Sequence, residues 1–124
     1  MNREGRAQGS HYESLAADWL QARGLTLLER NYHCRRGEID LILLDGDCIC
    51  FVEVKYRSGS AFGGARYSIT RAKQQRLLLA IEHYLERHPR HRQRPQRIDA
   101  LLLQQRGNDI DCDWIRDAIQ ASGF

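Results

Sequence analysis

The stretch from Gly37 to Arg57 constrains the fold most, because it holds two strand-like segments separated by a short turn sequence, Asp45-Gly46-Asp47. The second segment is rich in β-branched and aromatic residues. An Asp-Gly pair between two such segments predicts a β-hairpin. Since apolar residues occupy both faces of the two strands, the sequence also predicts a sheet that is covered on both sides.

Three charged residues, Asp40, Glu53 and Lys55, lie inside these apolar strands. Burying a charge is costly unless it is paired, hydrogen-bonded or bound to metal. Side chains alternate between faces, so a two-residue loop places Asp40 and Glu53 on one face. A Gly46-Asp47 loop would make them direct neighbours, and an Asp45-Gly46 loop would make them diagonal. A three-residue loop without a compensating bulge would separate them.

Two adjacent carboxylates repel each other, and each raises the pKa of the other unless a cation lies nearby. Their oxygen atoms suit Mg²⁺ or Mn²⁺. Lys55 would orient a water molecule or stabilise a developing negative charge. Asp40, Glu53 and Lys55 are therefore candidate catalytic residues for metal-assisted hydrolysis of a phosphodiester bond, with the two acids as metal ligands.

A longer series of motifs carries a resemblance to known proteins. Asp40 followed by Glu53-Val54-Lys55 resembles the PD-(D/E)xK nuclease signature, with Ile39 where the name of that superfamily has proline. The segments RRGEIDLI, DGD, FVEVKYR, FGG and RIDALLL, in this order, resemble the small bacterial YraN-like family, itself similar to archaeal Holliday junction resolvases. The resemblance implies a Mg²⁺- or Mn²⁺-dependent nuclease acting on DNA, including branched structures. It also implies a metal ligand from the main-chain carbonyl of Val54, and a homodimer if the substrate is a four-way junction.

The segment from Ser10 to Arg23 predicts a helix ended by Gly24, after a mobile stretch at residues 1–9. Ser10 and Glu13 have the spacing of a capping box. The resemblance implies instead that Glu13 is a third metal ligand, because related nucleases often place a carboxylate on their first helix. Glu38 has two interpretations as well: an auxiliary ligand near Asp40, or a solvated glutamate at the end of a strand.

The remaining elements complete an α/β pattern. Leu25 to Cys34 is predicted to form a strand before the hairpin. Thr70 is the predicted N-cap of a helix that ends near Arg87. Ile98 to Leu103 predicts another strand, which contains an acid of unassigned role, Asp99, and the C-terminal end adds a short strand or turn. We therefore expect a single restriction-endonuclease-like domain over residues 1–124, with a central mixed sheet of four or five strands flanked by helices.

Basic residues gather in three places: before the hairpin, at the start of the second helix, and in a loop over residues 87–97. Between Gly37 and Val54 there are five acids and no base. An acidic pocket flanked by basic surfaces suits a metal ion and a nucleic acid backbone. The alternative for each of the three groups is that its side chains are solvated and contact no phosphate. The candidate phosphate contacts are Arg35, Arg36, Arg71, Lys73, Arg76, Arg92 and Arg94. The loop from Ser58 to Ile69, with Phe62-Gly63-Gly64, either borders a substrate groove or is a plain crossover.

The 124 residues contain no apolar run of membrane-spanning length, and the first ten residues lack the apolar region of a signal peptide. The expected compartment is the cytoplasm, with no membrane partner. None of the four cysteines forms a CxxC pair, and we expect small core residues rather than disulfides or zinc ligands. The main alternative to a nuclease is a non-catalytic nucleic-acid-binding protein that retains the nuclease fold; a third hypothesis is a protein-interaction subunit in DNA processing.

Overall fold

The structure, a computed structural model, describes residues 3–57 and 69–119, with side chains from residue 11 onward. In chain order the elements are helix α1 (Arg3–Ala22), strands β1 (Thr26–Cys34), β2 (Gly37–Asp45) and β3 (Cys48–Arg57), helix α2 (Arg71–Arg87), and strands β4 (Gln96–Arg106) and β5 (Asp109–Ile115). The five strands of the described residues form one sheet in sequence order. Only the β3–β4 pair is parallel. The predicted α/β architecture with a mixed sheet is confirmed, and it agrees with a restriction-endonuclease-like fold.

Each face of the sheet packs against one helix. Phe51 of β3 lies in a cluster with Leu77 and Tyr84 of α2, and we call this side the α2 face. Val52, the next residue of β3, lies in a second cluster with Leu20 of α1, on the α1 face. Coverage on both faces explains why β2 and β3 contain so few polar residues. Neither helix in the described range is both long and apolar enough to cross a membrane.

Helix α1 begins earlier than the sequence predicted. It starts at Arg3, so Ser10 lies inside a continuous helix and cannot be its N-cap, which requires a non-helical backbone. The predicted start at Ser10 is wrong, and residues 3–9, which were expected to be mobile, are helical. This segment contains Arg, Glu, Ala and Gln, which favour helix, but also Gly5 and Gly9, which oppose it, so propensity alone does not explain the longer element. The end at Gly24 is as predicted, and its φ of +96° is the left-handed conformation that glycine favours. The capping-box interpretation of Glu13 therefore no longer applies.

The β2–β3 hairpin has a two-residue loop. Asp45 pairs with Cys48, which leaves Gly46 and Asp47 as the loop, one of the two alternatives that the sequence had left open. The register continues through Ile42–Phe51 to Leu41–Val52. Extended by one residue, this register sets Asp40 opposite Glu53.

The alternation of side chains breaks at Asp40. Ile39 lies in the cluster on the α2 face, whereas Leu41, two residues later, lies in the cluster on the α1 face. Strand β1 has an irregularity at the matching level, since Asn31 has a φ of +54° between two regular pairs with β2. The strict alternation that the sequence predicted for β2 is therefore wrong at this residue, at the level where Asn31 of β1 adopts a left-handed backbone conformation.

Helix α2 lies directly against the start of β2. Its N-cap is Thr70, as predicted, whose hydroxyl accepts a hydrogen bond from the main-chain N–H of Lys73 at 3.2 Å. A Cβ atom added to Gly37 would lie 2.0 Å from the main-chain oxygen of Arg76. Only glycine permits this approach. The contact holds the first turns of α2 over the end of the sheet that contains Asp40.

Candidate active site

Asp40 lies where the ladder between β2 and β3 ends, since Leu41–Val52 is its last pair. The Oδ2 atom of Asp40 accepts a hydrogen bond of 2.8 Å from the main-chain N–H of Val54. The Asp40 carboxylate thus takes the place of the main-chain carbonyl of β2 that would accept the next hydrogen bond from β3. It therefore lies between the two strands, at a position we call the seam. Burial raises the pKa of Asp40; the hydrogen bond from Val54 and the charge of Lys55 oppose this rise.

Glu53 and Lys55 follow the regular alternation of β3. Phe51 packs on the α2 face while Val52 and Val54 pack on the α1 face, so Glu53 and Lys55 project toward the α2 face. Burial is the main cause that raises the pKa of Glu53, and the charge of Asp40 adds to it, while Lys55 lowers it. These mutual effects put Asp40, Glu53 and Lys55 within electrostatic reach of one another. The sequence-predicted triad is thus brought together at one end of the sheet.

A cavity of about 110 Å³ lies beside Glu53, between the sheet and α2. Lys73, Arg76 and Leu77 of α2 line it, together with Glu38 and Glu53. Lys73 also lowers the pKa of Glu53. The first turns of α2 therefore bring two cations against the acidic end of the sheet, which is where a phosphate group would need them.

Glu13 approaches Asp40 from the other side of the sheet, because it lies on α1. Its Oε1 atom is buried and has no hydrogen-bond partner among the described residues. Burial and then the charge of Asp40 raise the pKa of Glu13 to about 7, and Arg30 lowers it. A buried carboxylate oxygen without a partner requires an explanation, and a bound cation or ordered water would supply one.

The carboxylate oxygen atoms of the site suit a hard divalent cation, but the predicted set of three carboxylates is not assembled. Within residues 3–57 and 69–119, no three His, Cys, Asp or Glu side chains are arranged to hold a metal ion. The predicted trio of Glu13, Asp40 and Glu53 is therefore not assembled around one point, since Glu13 and Glu53 approach Asp40 from opposite faces. Mg²⁺ commonly takes only one or two carboxylates and completes its shell with water and substrate oxygens. Asp40 and Glu53, with the carbonyl of Val54, fit that pattern.

A contact that the sequence interpretation missed joins His33 to Glu38. The two residues are cross-strand partners in β1 and β2, and Nδ1 of His33 lies 3.2 Å from Oε2 of Glu38. The neighbours of His33, Tyr32 and Cys34, belong to the cluster on the α2 face, so the pair projects to the opposite face. A protonated His33 lowers the pKa of Asp40. The two-residue turn of Arg35 and Arg36 was the signal that could have revealed this pair, because it sets His33 opposite Glu38. The Glu38 carboxylate is thus directed to His33.

The predicted phosphate contacts divide between the two ends of the sheet. Arg35 and Arg36 are exposed in the β1–β2 turn, and Arg71 is exposed at the start of α2. These three residues lie at the end that contains Asp40, as do Lys73 and Arg76 of the cavity.

The basic loop over residues 87–97 lies at the opposite end. Because β4 is parallel to β3, the loop ends beside the hairpin turn, where the N–H of Ile49 donates to the carbonyl of Pro95. Arg94 donates to Asp47 at 3.1 Å and to His91 at 3.0 Å, so its guanidinium has partners within the fold. Five strand residues separate this turn from Asp40, or roughly 16 Å. The expectation that this loop, including exposed Arg92, flanks the acidic pocket is wrong.

Asp99 has a structural environment outside the candidate site. Its carboxylate is fully buried and accepts hydrogen bonds from the guanidinium of Arg97, the indole N–H of Trp114 and the main-chain N–H of Asp117, each at 2.9 Å at its closest. These contacts join β4 to β5 and to the segment after it. The unassigned acid of the sequence is thus the centre of a packing network. The loop with Phe62-Gly63-Gly64 lies outside the described residues.

Replacing Glu13 by glutamine should stabilise the protein at pH 8 in the absence of metal. The raised pKa of Glu13 means that the folded state binds more protons than the unfolded state between about 4.5 and about 7. The free energy of unfolding of the wild type therefore falls as pH rises through this interval. We expect a gain on the order of 1 kcal/mol at pH 8, discounted for partial solvation, and no difference at pH 4.

Thermal unfolding at both pH values measures this effect, with Glu86→Gln on the exposed side of α2 as the control. A gain of equal size at pH 4 would show that the charge of Glu13 is not the cause.

Comparison with known proteins gives a consistent family assignment. The family described as "Uncharacterised protein family UPF0102" matches residues 12–103, which include every candidate site residue named above. The chain is 50% identical over 116 residues to a UPF0102 protein of Nitrosomonas europaea, covering 93% of this chain and 95% of the relative. It is 44% identical over 117 residues to a UPF0102 protein of Alcanivorax borkumensis, covering 94% of each. A UPF0102 protein of Aeromonas hydrophila is 54% identical over 82 residues, covering 66% of this chain and 63% of the relative.

Proposed function

We propose that this chain, which belongs to the uncharacterised protein family UPF0102, is a Mg²⁺- or Mn²⁺-dependent nuclease. It hydrolyses phosphodiester bonds of DNA in the cytoplasm, with branched structures among its substrates. The observation that carries the proposal is the Asp40 carboxylate in the β2–β3 seam, fixed by Val54, electrostatically coupled to Glu53 and accompanied by Lys55. Three buried or half-buried charges at one strand end cost stability and are best explained by a bound cation and an anionic substrate.

Each residue has a distinct role in this proposal. Asp40 and Glu53 would hold the metal ion with the carbonyl of Val54, and a bound ion would stabilise negative charge on the phosphoryl oxygens. Lys55 donates hydrogen bonds to the attacking water or to a phosphoryl oxygen, where it stabilises charge that develops in the transition state. Glu13 adds negative potential from the α1 face, as a ligand through water or as a neighbour of Asp40.

The proposal includes membership of the PD-(D/E)xK nuclease superfamily. Asp40 on one strand and Glu53-Val54-Lys55 on the adjacent antiparallel strand support it, as does a mixed sheet between two helices. The similarity to Holliday junction resolvases further suggests a homodimer on four-way junctions, because such a junction presents two equivalent cleavage points.

A non-catalytic nucleic-acid-binding protein is the second candidate function. It is favoured by the observation that the described residues contain no three-ligand metal site. Lys73, Arg76 and the exposed arginines of the β1–β2 turn would then bind a phosphate backbone without a reaction.

A cleavage panel separates these two functions. Linear, flapped and four-way-junction DNA are incubated with the protein in Mg²⁺ or Mn²⁺, beside an Asp40→Ala control. We expect metal-dependent cleavage by the wild type and none by the variant. Absent cleavage, together with tight DNA binding, would contradict the nuclease and support the binding protein, whereas metal-independent cleavage would contradict the proposed metal dependence.

Binding to DNA should depend on the basic residues at the Asp40 end of the sheet. Replacing Arg35 and Arg36 by glutamine should weaken DNA binding and reduce the slope of log K against log salt by about 1–2, because up to two phosphate contacts are lost. Arg92→Gln, at the opposite end, is the matched control and should change both quantities little. Fluorescence anisotropy in Ca²⁺ over a salt series measures both. An equal effect of the two substitutions would refute the location of the binding surface.

A further inference from the structure

The cavity between the sheet and α2 has the size of a small polar group. Its volume of about 110 Å³ is well below the roughly 300–1,000 Å³ of pockets that enclose drug-sized ligands. Four charged residues and one apolar residue line it: Glu38, Glu53, Lys73, Arg76 and Leu77. The ligand that this cavity suits is therefore small and highly charged.

The charges of the lining favour an anion. The Glu38 carboxylate is directed to His33 on the opposite face, where the two side chains lie 3.2 Å apart. Glu53 is assigned to the metal ion in the proposed function, so its charge would be balanced there. Lys73 and Arg76 form no ion pair with a carboxylate among the residues whose side chains the structure describes. Two positive charges are thus left to bind a ligand in the cavity.

The position of Lys73 is unfavourable for the helix alone. It lies in the first turn of α2, which contains no acidic residue. The N-terminal end of a helix carries a partial positive charge, and a lysine there adds to it. An anion in the cavity would offset both the side-chain charges and the charge of the helix end.

The cavity is closed where α2 meets the start of β2. A Cβ atom added to Gly37 would lie 2.0 Å from the main-chain oxygen of Arg76, so the two backbones leave no passage between them. A continuous strand that entered here would have to turn back, whereas the end of a strand needs no exit. A terminal phosphate also carries a charge of about −1.5 to −2 at pH 7, against −1 for a phosphate within a strand. Two cations match the terminal group better.

We propose that this cavity binds the terminal phosphate monoester of a DNA strand, held by Lys73 and Arg76. The inference rests on the proposed nuclease function and narrows its substrate class. The preferred DNA has a phosphorylated strand end close to the cleaved bond, as at a nick or a flap. A 5′-phosphate and a 3′-phosphate present the same chemistry to the two cations.

Strands that differ only in their end groups test the inference. One flapped DNA with an internal fluorophore is made with a 5′-phosphate, a 3′-phosphate or only hydroxyl groups on the flapped strand. Affinity is measured by fluorescence anisotropy in Ca²⁺, and cleavage under single-turnover conditions in Mn²⁺. The proteins are the wild type, the double variant Lys73→Gln/Arg76→Gln and Arg87→Gln, which removes an exposed charge at the far end of α2.

The result is read as the ratio of affinities for phosphorylated and unphosphorylated DNA within each protein. The wild type should prefer one of the two phosphorylated strands by about tenfold or more, the scale of one charge-assisted hydrogen bond. The double variant should reduce this ratio to less than about twofold, because both cations of the cavity are lost. Arg87→Gln should keep the wild-type ratio.

The two assays separate failure of this inference from failure of the proposed function. A wild type without preference, or a preference that the double variant retains, would overturn the inference, while metal-dependent cleavage would leave the nuclease intact. An equal loss of preference in Arg87→Gln would assign the effect to overall charge and would overturn it too. Preferential binding without cleavage would refute the nuclease and support the cavity as the phosphate site of a binding protein.

Discussion

Lys55→Ala should lower single-turnover cleavage by about 10²–10³-fold while leaving Mg²⁺ affinity unchanged or slightly higher. A protonated lysine cannot bind a cation, and its charge lies near Asp40 and Glu53, whose pKa values it lowers. Its removal therefore takes away transition-state stabilisation without removing a ligand. Calorimetric titration with Mg²⁺ and rapid-quench cleavage under single-turnover conditions measure the two quantities separately.

Two matched variants make this result specific. Asp40→Ala should lose both metal binding and cleavage, because it removes the carboxylate in the seam. Arg57→Ala removes an exposed charge two residues further along β3 and should change neither quantity by more than about twofold. If folded Lys55→Ala cleaved as fast as the wild type, Lys55 would be only a charge partner of Glu53. Equal cleavage by Asp40→Ala would point to a contaminating nuclease and support the binding-protein alternative.

Features of the fold and the site that depend only on residues close together in the sequence were predictable. Asp-Gly-Asp between two apolar strands limits the loop to a few lengths, and the observed two-residue loop is one of them. The same local logic placed Thr70 at the start of α2. Glu53 and Lys55 follow from the alternation of a regular strand, so their common face was predictable from spacing alone.

The remaining features depend on contacts between distant segments. The break in alternation at Asp40 coincides with the irregularity of β1 at Asn31, and a pattern within β2 does not contain that information. The parallel pairing of β4 with β3 carries the basic loop to the far end of the sheet. For α1, the spacing of Ser10 and Glu13 resembled a cap, although the helix begins seven residues earlier, at Arg3. A capping spacing alone therefore does not fix where a helix begins.

Asp99 is an acidic residue of the RIDALLL motif, and its contacts stabilise the fold and lie outside the candidate active site. It shares the RIDALLL segment with Arg97, and the guanidinium of Arg97 contacts both Asp99 and Asp45. The pKa of Arg97 is raised, chiefly because of its hydrogen bonds to Asp99. Since Asp99 also accepts from Trp114 and Asp117, one carboxylate satisfies three donor groups on β4, β5 and the segment after β5.

Asp99→Asn should therefore lower the free energy of unfolding by about 3–5 kcal/mol, because it leaves the largely buried charge of Arg97 without its main partner. In a domain of this size the loss corresponds to a fall in Tm of roughly 10–20 °C. Asp111→Asn is the matched control: it breaks the exposed ion pair with Arg106 and should cost no more than about 1 kcal/mol. Urea denaturation of the three proteins measures the differences, and single-turnover cleavage below the unfolding transition measures activity. The remaining folded Asp99→Asn should cleave at nearly the wild-type rate, because Asp99 lies outside the site around Asp40. Wild-type stability with lost cleavage would reverse this assignment and make Asp99 part of the active site.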